Sequence, residues 1–234
     1  MKRCLVITAH PDDIEFGCSG SIAVMRDEGW DVRYVIVTSG QRGTQDPTIT
    51  VEEMGAIREK EAIEAAAAVG VDDVVFLGYV DGDLIGADPI QLRKDLAREF
   101  RAFKPHRLIT MSVALVEGDV YVNHPDHKVV AEAALDITVS GGSTASYYPD
   151  LGLPAWRELG EIWIFAAGGG KHAVDVTAAI DRKIASLLAH TSQMGEWPDG
   201  SVGVAAAVRE WLHRTGEPHG YEYAEAFRVI KIRR

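Results

Sequence analysis

Short apolar runs alternate with longer segments of helical pattern through the first half of this chain. The apolar runs have the length and composition of buried strands, and the segments between them repeat apolar residues at helical spacing. This alternation predicts a Rossmann-like, doubly wound α/β fold, with a mostly parallel sheet and helices on both of its faces. The clearest strand candidates are residues 4–8, 32–38, 74–77 and 107–111.

We expect the sheet to have the strand order 3-2-1-4-5, which is common for this fold, with extra strands added by the C-terminal part of the chain. Residues 162–165, 172–176 and 226–230 are the candidates for those later strands. The 234 residues contain no internal repeat, low-complexity tract or clear linker. The sequence therefore predicts one domain spanning residues 1–234.

The composition argues against several classes of protein. The chain has 35 acidic and 24 basic residues, a net charge of −11, which disfavours nucleic acid or an anionic membrane as a partner. No stretch reaches the roughly 18 consecutive apolar residues of a membrane-spanning helix, and the N-terminus lacks the pattern of a signal peptide. Cys4 and Cys18 form neither a disulfide framework nor a CxxC pair. These features predict a cytoplasmic protein with no membrane span, and they leave a homo-oligomer open.

A histidine and three acidic residues directly follow the first predicted strand: His10, Asp12, Asp13 and Glu15. In a parallel sheet the turn after a strand lies at the carboxyl edge, where ligands bind. The His-x-x-Asp spacing lets two side chains reach one ion from a tight turn. This first motif therefore indicates a metal site.

A second polar cluster, which contains His124, Asp126 and His127, opens the helix that follows the fourth strand. Pro125 suits the first position of that helix, and by itself the cluster is equally well explained as a solvated helix start. However, the switch point of the predicted sheet lies between strands one and four, which brings the two clusters together. The combination predicts two histidines and one carboxylate around a metal ion, with a further histidine and carboxylate beside them.

Together the two motifs resemble those of the PIG-L/LmbE-like zinc-dependent N-deacetylases, and the likeness extends over nearly the whole chain. The resemblance assigns no role to Lys183, His190 or Gln193. Supporting patterns of the same family are Thr38-x-Gly40-x-x-Gly43, Arg58-x-x-Glu61, Asp81-Gly82, Lys183 with His190-x-Ser192-Gln193, and Ala224-Glu225-Ala226-Phe227.

The resemblance implies an enzyme, a metal-dependent hydrolase that acts on a linear amide. Its expected reaction removes the N-acetyl group from a small amino-sugar conjugate of the N-acetylglucosamine type, by means of metal-activated water. The implied ligands are His10, Asp13 and His127. The implied cofactor is Zn²⁺, although another divalent transition metal could occupy the same ligands.

The resemblance also implies roles for the residues around the metal. Asp12 is expected to be the general base that activates the water. His124 is expected to protonate the leaving amine and to stabilise the oxyanion, with Asp126 behind it. Arg58 and Asp81 are expected to contact sugar hydroxyls.

Three other functions stay open at this point. They are an amidase that acts on a larger acyl group or a thiol-sugar conjugate, a Rossmann-like nucleotide-binding protein without hydrolysis, and a metal-binding module whose catalytic pair is unused. Gly17-x-x-Gly20 is shorter than the G-x-G-x-x-G phosphate loop and follows an acidic cluster, which disfavours nucleotide binding. Metal analysis combined with acetate release from N-acetylglucosamine compounds would separate these functions.

Overall fold

The structure is a computed structural model that describes residues 1–117, 121–165, 170–195 and 199–233. The strands within these ranges are β1 (Arg3–Thr8), β2 (Asp31–Thr38), β3 (Asp73–Tyr79), β4 (Arg107–Thr110), β5 (Val116–Glu117), β6 (Tyr121–Val122), β7 (Glu161–Ile164), β8 (His172–Asp175) and β9 (Ala224–Lys231). The helices are α1 (Asp13–Gly17), α2 (Ser19–Asp27), α3 (Val51–Ala68), α4 (Pro89–Phe103), α5 (Pro125–Val139), α6 (Ile180–Leu188), α7 (Thr191–Met194) and α8 (Gly200–Gly216).

Seven strands form one sheet in the order β3-β2-β1-β4-β7-β9-β8, and β5 and β6 form a separate antiparallel hairpin. Neighbouring strands from β3 to β7 run parallel, whereas β9 is antiparallel to both β7 and β8. The predicted order 3-2-1-4-5 is therefore confirmed, with β7 as the fifth strand. The predicted extra C-terminal strands are β8 and β9.

Burial of the central strand β1 explains why residues 4–7 are all apolar. Residues 4–7 of β1 are 0% exposed because helices pack on both faces of the sheet. The helices α4 and α5 contact each other and β1, whereas α2 and α3 lie against β2 and β3 and contact α6. A smaller apolar cluster joins α6 to α8; it contains Val176, Ile180, Ile184, Leu187, Met194, Val204, Val208 and Leu212.

The sheet brings four polar segments to one edge. Ile7 of β1 pairs with Thr110 of β4 in parallel register, so these two strands end side by side. The segments that follow β1, β2, β3 and β4 therefore lie near one another at the carboxyl edge. The Thr38 hydroxyl, at the end of β2, donates to the Ala9 carbonyl at 2.9 Å and ties two of these segments together.

Local chemistry fixes the ends of the helices that surround this edge. Thr50 and Glu53 form a capping box at the start of α3, and Asp88 accepts from the first amides of α4. At the start of α5, His124 is the N-cap and Pro125 takes the first helical position. Among the described residues, none of the helices combines the length and the apolar character that a bilayer crossing requires.

Candidate active site

The three predicted metal ligands meet between the ends of β1 and β4. His10 Nδ1 lies 3.2 Å from His127 Nε2, and His127 Nε2 lies 3.0 Å from Asp13 Oδ1. The distance from His10 Nδ1 to Asp13 Oδ2 is 3.6 Å. A tetrahedral zinc ion with bonds of about 2.0–2.2 Å holds its donor atoms about 3.4 Å apart. The three distances, of which the two to Asp13 involve different carboxylate oxygens, are close to the donor spacing of a zinc site.

Outer hydrogen-bond partners fix which nitrogen of His127 faces this cluster. Asn123 Nδ2 donates to the carbonyls of Ser112 and Ala114, at 3.0 and 2.9 Å, so Asn123 Oδ1 is left as an acceptor. That oxygen lies 3.1 Å from His127 Nδ1, which must therefore carry a proton. In the neutral imidazole, Nε2 then has its lone pair free for a metal ion.

Two carboxylates lie beside the ring nitrogen of His10 that faces away from His127. His10 Nε2 lies 3.1 Å from Asp81 Oδ1 and 3.4 Å from Asp126 Oδ2. A proton on this nitrogen, which faces two carboxylates, would leave the lone pair on Nδ1. Asp13 uses Oδ2 to accept from the His10 amide at 2.7 Å, which leaves Oδ1 facing His127. When both imidazoles are neutral, the lone pairs of His10 Nδ1 and His127 Nε2 and the Asp13 carboxylate face one another, an arrangement that a bound cation would stabilise.

His10 belongs to two groups of side chains close enough to hold a metal ion. One group contains His10, His124 and His127, and the other contains His10, Asp81 and Asp126. In the second group main-chain N–H groups already occupy both carboxylates: that of residue 42 donates to Asp81 at 3.1 Å, and those of residues 82 and 84 donate to Asp126 at 2.6 and 3.3 Å. Both oxygens of Asp126 accept main-chain N–H groups, whereas Asp13 accepts them on Oδ2 only and keeps Oδ1 toward His127. The second group is therefore better suited to orienting His10 than to holding an ion itself.

The electrostatics of the cluster favour positive charge. Burial disfavours the imidazolium of His10, but the carboxylates of Asp126, Asp81 and Asp13 outweigh burial and raise its pKa to about 10. Burial likewise disfavours the Asp13 carboxylate, yet His127 and His10 hold its pKa far below the usual value. A cation at this point is thus stabilised by several buried carboxylates.

Asp12 occupies a strained position next to Asp13. Its φ of 103° lies in the region that favours glycine, and backbone strain of this kind is concentrated at functional sites. Asp12 Oδ2 lies 3.1 Å from Arg58 Nη2. Burial and the neighbouring Asp13 carboxylate raise the pKa of Asp12 to about 6, against the opposing influence of Arg58. A carboxylate with this pKa is matched to base catalysis near neutral pH.

His124 lies on the exposed side of the cluster, with its ring centroid 4.9 Å from that of His10. Its Nδ1 accepts from the Asp126 amide at 3.2 Å, so the neutral ring carries its proton on Nε2. Burial, followed by the neighbouring imidazoles of His10 and His127, lowers the pKa of His124. The predicted support from Asp126 thus comes through its main chain, because the Asp126 carboxylate is turned toward His10 and the 82–84 amides.

Several residues without a predicted role brace this site. Lys183 is fully buried and donates to the main-chain carbonyls of residues 15–16, at 2.7 and 3.1 Å, and to Glu225 at 2.6 Å. Glu225 in turn accepts from the amides of residues 20–21, at 3.0 and 2.7 Å. The ion pair thus provides hydrogen-bond partners for the last carbonyls of α1 and the first amides of α2, at the break between the two helices.

A second buried contact holds the other side of α1. His190 Nε2 lies 3.2 Å from Glu15 Oε2, and although burial disfavours the imidazolium, the Glu15 carboxylate raises the pKa of His190 above its usual value. Glu61 accepts three hydrogen bonds from residues 191–192, which fixes the start of α7 against α3. Of the residues that sequence reasoning missed, Asn123 alone had a local signal, its i,i+4 spacing from His127.

Several known proteins are similar to this chain in sequence. The family model PIG-L, described as GlcNAc-PI de-N-acetylase, matches residues 5–138. A diacetylchitobiose deacetylase from Thermococcus kodakarensis is 25% identical over 232 residues, which cover 98% of this chain and 84% of that protein. A protein from Bacillus anthracis, named as a probable N-acetyl-alpha-D-glucosaminyl L-malate deacetylase 2, is 28% identical over 227 residues, which cover 91% of this chain and 92% of that one.

A solved structure extends the likeness to three dimensions. The N,N'-diacetylchitobiose deacetylase from Pyrococcus horikoshii, solved with an inhibitor, superposes with a TM-score of 0.87 at 29% identity. The superposition covers 98% of this chain and 84% of that one. Since the family model spans more than half of the sequence and the fold agrees over almost all of it, the chain belongs to the PIG-L family.

Proposed function

We propose that this protein is a zinc-dependent hydrolase that removes the N-acetyl group from an amino-sugar conjugate of the N-acetylglucosamine type. The observation that supports the proposal is the position of His127 Nε2, which lies 3.2 Å from His10 Nδ1 and 3.0 Å from Asp13 Oδ1 between the ends of β1 and β4. The names of the relatives, which are sugar N-deacetylases, support the reaction and the class of substrate.

In this proposal His10, Asp13 and His127 hold the metal ion. Three protein ligands leave an open position, as in catalytic zinc sites. The chemistry that zinc would supply there is a bound water with a pKa of about 7 and polarisation of the amide carbonyl. Zinc is favoured by the nitrogen-rich donor set, and another divalent transition metal is the alternative.

Asp12 is the proposed general base. It directly precedes the ligand Asp13, and its side chain is 18% exposed, so a water molecule can reach its carboxylate. Amide hydrolysis requires a base within hydrogen-bond reach of the attacking water. Asp12 takes one proton from that water while the oxygen adds to the amide carbon. The C–N bond then breaks as the amine nitrogen takes up a proton, so that acetate and the free amino sugar leave.

His124 is the proposed partner for the developing charge. With Nδ1 occupied by the Asp126 amide, the Nε2–H group is the one available to the substrate. It donates a hydrogen bond to the oxyanion, which is the stabilisation that acyl transfer needs most. The predicted protonation of the leaving amine requires the imidazolium form, which substrate binding must then favour over the lowered pKa.

The predicted sugar contacts are less accessible than the catalytic pair. Arg58 is 4% exposed and Asp81 is 7% exposed, and both already contact protein groups. Their proposed contact with sugar hydroxyls stays a prediction. The proposed setting for the reaction is the cytoplasm, with a small amino-sugar conjugate as partner, no nucleic acid, and a homo-oligomer left open.

The test is acetate release by the purified protein after metal removal and reloading with zinc. N-acetylglucosamine, N,N'-diacetylchitobiose and N-butyrylglucosamine are compared, with Asp12→Asn as the matched inactive control. We expect acetate from at least one N-acetyl compound, little butyrate, and no product from the control. Faster butyrate release would favour the amidase alternative, and metal binding without any product would favour the non-catalytic one.

A further inference from the structure

Asn123 anchors the turn that leads into α5. It is 3% exposed, and it directly precedes the N-cap residue of that helix. Its main-chain N–H donates to the Leu115 carbonyl at 2.9 Å. Its side-chain Nδ2 donates to the carbonyls of Ser112 and Ala114, at 3.0 and 2.9 Å. Three hydrogen bonds thus tie residue 123 to the segment that directly follows β4.

These contacts allow only one orientation of the Asn123 carboxamide. An asparagine side chain has two N–H donors on Nδ2 and only acceptor capacity on Oδ1. If the two ends were exchanged, Oδ1 would face two carbonyl oxygens without a donor, and Nδ2 would face His127. Oδ1 is therefore held toward His127 Nδ1, which lies 3.1 Å away.

Two oxygens compete for the proton of the neutral His127 ring. Asn123 Oδ1 lies beside Nδ1, whereas Asp13 Oδ1 lies 3.0 Å from Nε2. A neutral imidazole carries one proton, on one nitrogen or the other. A proton on Nε2 would pair with the charged Asp13 oxygen, which is the stronger acceptor, and would close that nitrogen to a metal ion. The contact with Asn123 offsets this preference because it stabilises the ring with its proton on Nδ1.

We propose that Asn123 is a positioning residue for the metal site, whose carboxamide oxygen keeps the proton of His127 on Nδ1 and thereby raises the affinity of Nε2 for zinc. This inference rests on the metal site of the proposed function and gives that function a residue that precedes the second polar cluster. Removing the group that orients a ligand histidine lowers metal affinity by about 10–100-fold in known sites. A residue that only braced the turn would instead affect folding and leave zinc affinity unchanged.

The test measures the dissociation constant for zinc by competition with a chromophoric chelator. Asn123→Leu keeps the approximate shape of the side chain but removes the acceptor and both donors. Asn123→Asp keeps an oxygen toward His127 and removes the donors. The matched control is Ser112→Ala, which removes the 3.1 Å hydrogen bond from the Ala114 amide to the Ser112 hydroxyl but keeps the carbonyl that Asn123 contacts.

We expect the dissociation constant to rise at least about tenfold in Asn123→Leu, and by less than about threefold in Asn123→Asp and Ser112→Ala. The circular dichroism spectrum checks that each variant is folded. An Asn123→Leu protein that binds zinc within about threefold of the unchanged protein would overturn the proposal. Losses in Asn123→Asp or Ser112→Ala as large as that in Asn123→Leu would overturn it as well, because they would come from the loosened turn.

A second measurement needs no variant. In a neutron crystal structure of the zinc-loaded, deuterium-exchanged protein, we expect the metal on His127 Nε2 and deuterium on Nδ1, directed at Asn123 Oδ1. If Nδ1 is bound to zinc or carries no deuterium, the inference is wrong, even where the Asn123→Leu protein does not fold.

These outcomes are distinct from those that test the proposed function. Zinc affinity that depends on Asn123, without acetate release from any substrate, contradicts the hydrolytic function alone. Acetate release with a zinc affinity that does not depend on Asn123 contradicts this inference alone. A protein that takes up no zinc contradicts both.

Discussion

Replacing Lys183 by methionine removes the charge that lies at the break between α1 and α2. Lys183 is 0% exposed and Glu225 is 2% exposed, so water cannot take over the role of the ammonium group. Methionine has a similar volume and an unbranched shape, so it fills the space without a large cavity. The change therefore isolates the polar part of this contact from its packing.

The expected loss follows from the partners that remain. The variant leaves the Glu225 carboxylate buried without its counter-charge, and it leaves the carbonyls of residues 15–16 without their donor. Removing one member of a buried ion pair costs about 3–5 kcal/mol. In a chain of this length each kcal/mol lowers the melting temperature by about 2–4 °C. We therefore expect a melting temperature lower by roughly 6–20 °C.

The assays are thermal unfolding for the melting temperature and urea unfolding for the free energy, each followed by circular dichroism, for the unchanged protein and two variants. Arg182→Met is the matched control, because Arg182 lies next in the same helix and pairs with Asp27 at the surface. Exposed pairs of this kind contribute about 0–1 kcal/mol. A Lys183→Met protein that loses less than about 1 kcal/mol, or no more than the control, would refute the argument that the buried pair holds the helix break.

Further predictions concern the base, the thiols and the metal. Asp12→Asn should lower kcat at least about a hundredfold while zinc is retained, which acetate release and metal analysis check together; retained activity would remove the base role. Burial raises the pKa of the Cys4 thiol to about 12 and that of Cys18 well above its usual value, so neither thiol should react with an aromatic disulfide at pH 8 until the protein is unfolded. Rapid native labelling of either cysteine would contradict their burial. Treatment with a chelator should abolish acetate release, and added zinc should restore it; activity that survives complete metal removal would exclude a metal-dependent reaction.

The parallel half of the sheet could be predicted because its signals are local. Each early strand is an apolar run between helical segments, and parallel strands joined by helices follow a small set of orders. The placement of β9 between β7 and β8 had no such signal. Strand pairing across long sequence separations depends on packing, and the direction of β9 relative to its neighbours could not be read from residues 224–231 themselves.

The break between α1 and α2 could not be predicted from the sequence either. The sequence after the first strand reads as one glycine-rich helical segment, but the structure divides it at Cys18. The carbonyls and amides at this break lack partners within the helices. Lys183 and Glu225, which lie more than 160 residues away along the chain, form hydrogen bonds with them. Only the folded chain brings them to this point.

For the site, topology predicted that the polar clusters after β1 and β4 meet, and the family resemblance implied the ligand set, but neither predicted which atoms face each other. His10, Asp13 and His127 converge because β1 and β4 are neighbours. Asp126 follows His124 so closely that the sequence suggested a direct side-chain partnership. The amides of residues 82–84 instead draw the Asp126 carboxylate toward His10, an effect of a distant loop that local spacing cannot reveal.

The central claim is that one metal ion sits between the ends of β1 and β4. The most direct measurement is a crystal structure of the zinc-loaded protein with anomalous diffraction data collected at the zinc edge. The account predicts a single strong peak bonded to His10 Nδ1, His127 Nε2 and an Asp13 carboxylate oxygen. A peak beside His10 Nε2, Asp81 and Asp126, or a protein that takes up no zinc at this edge, would contradict it.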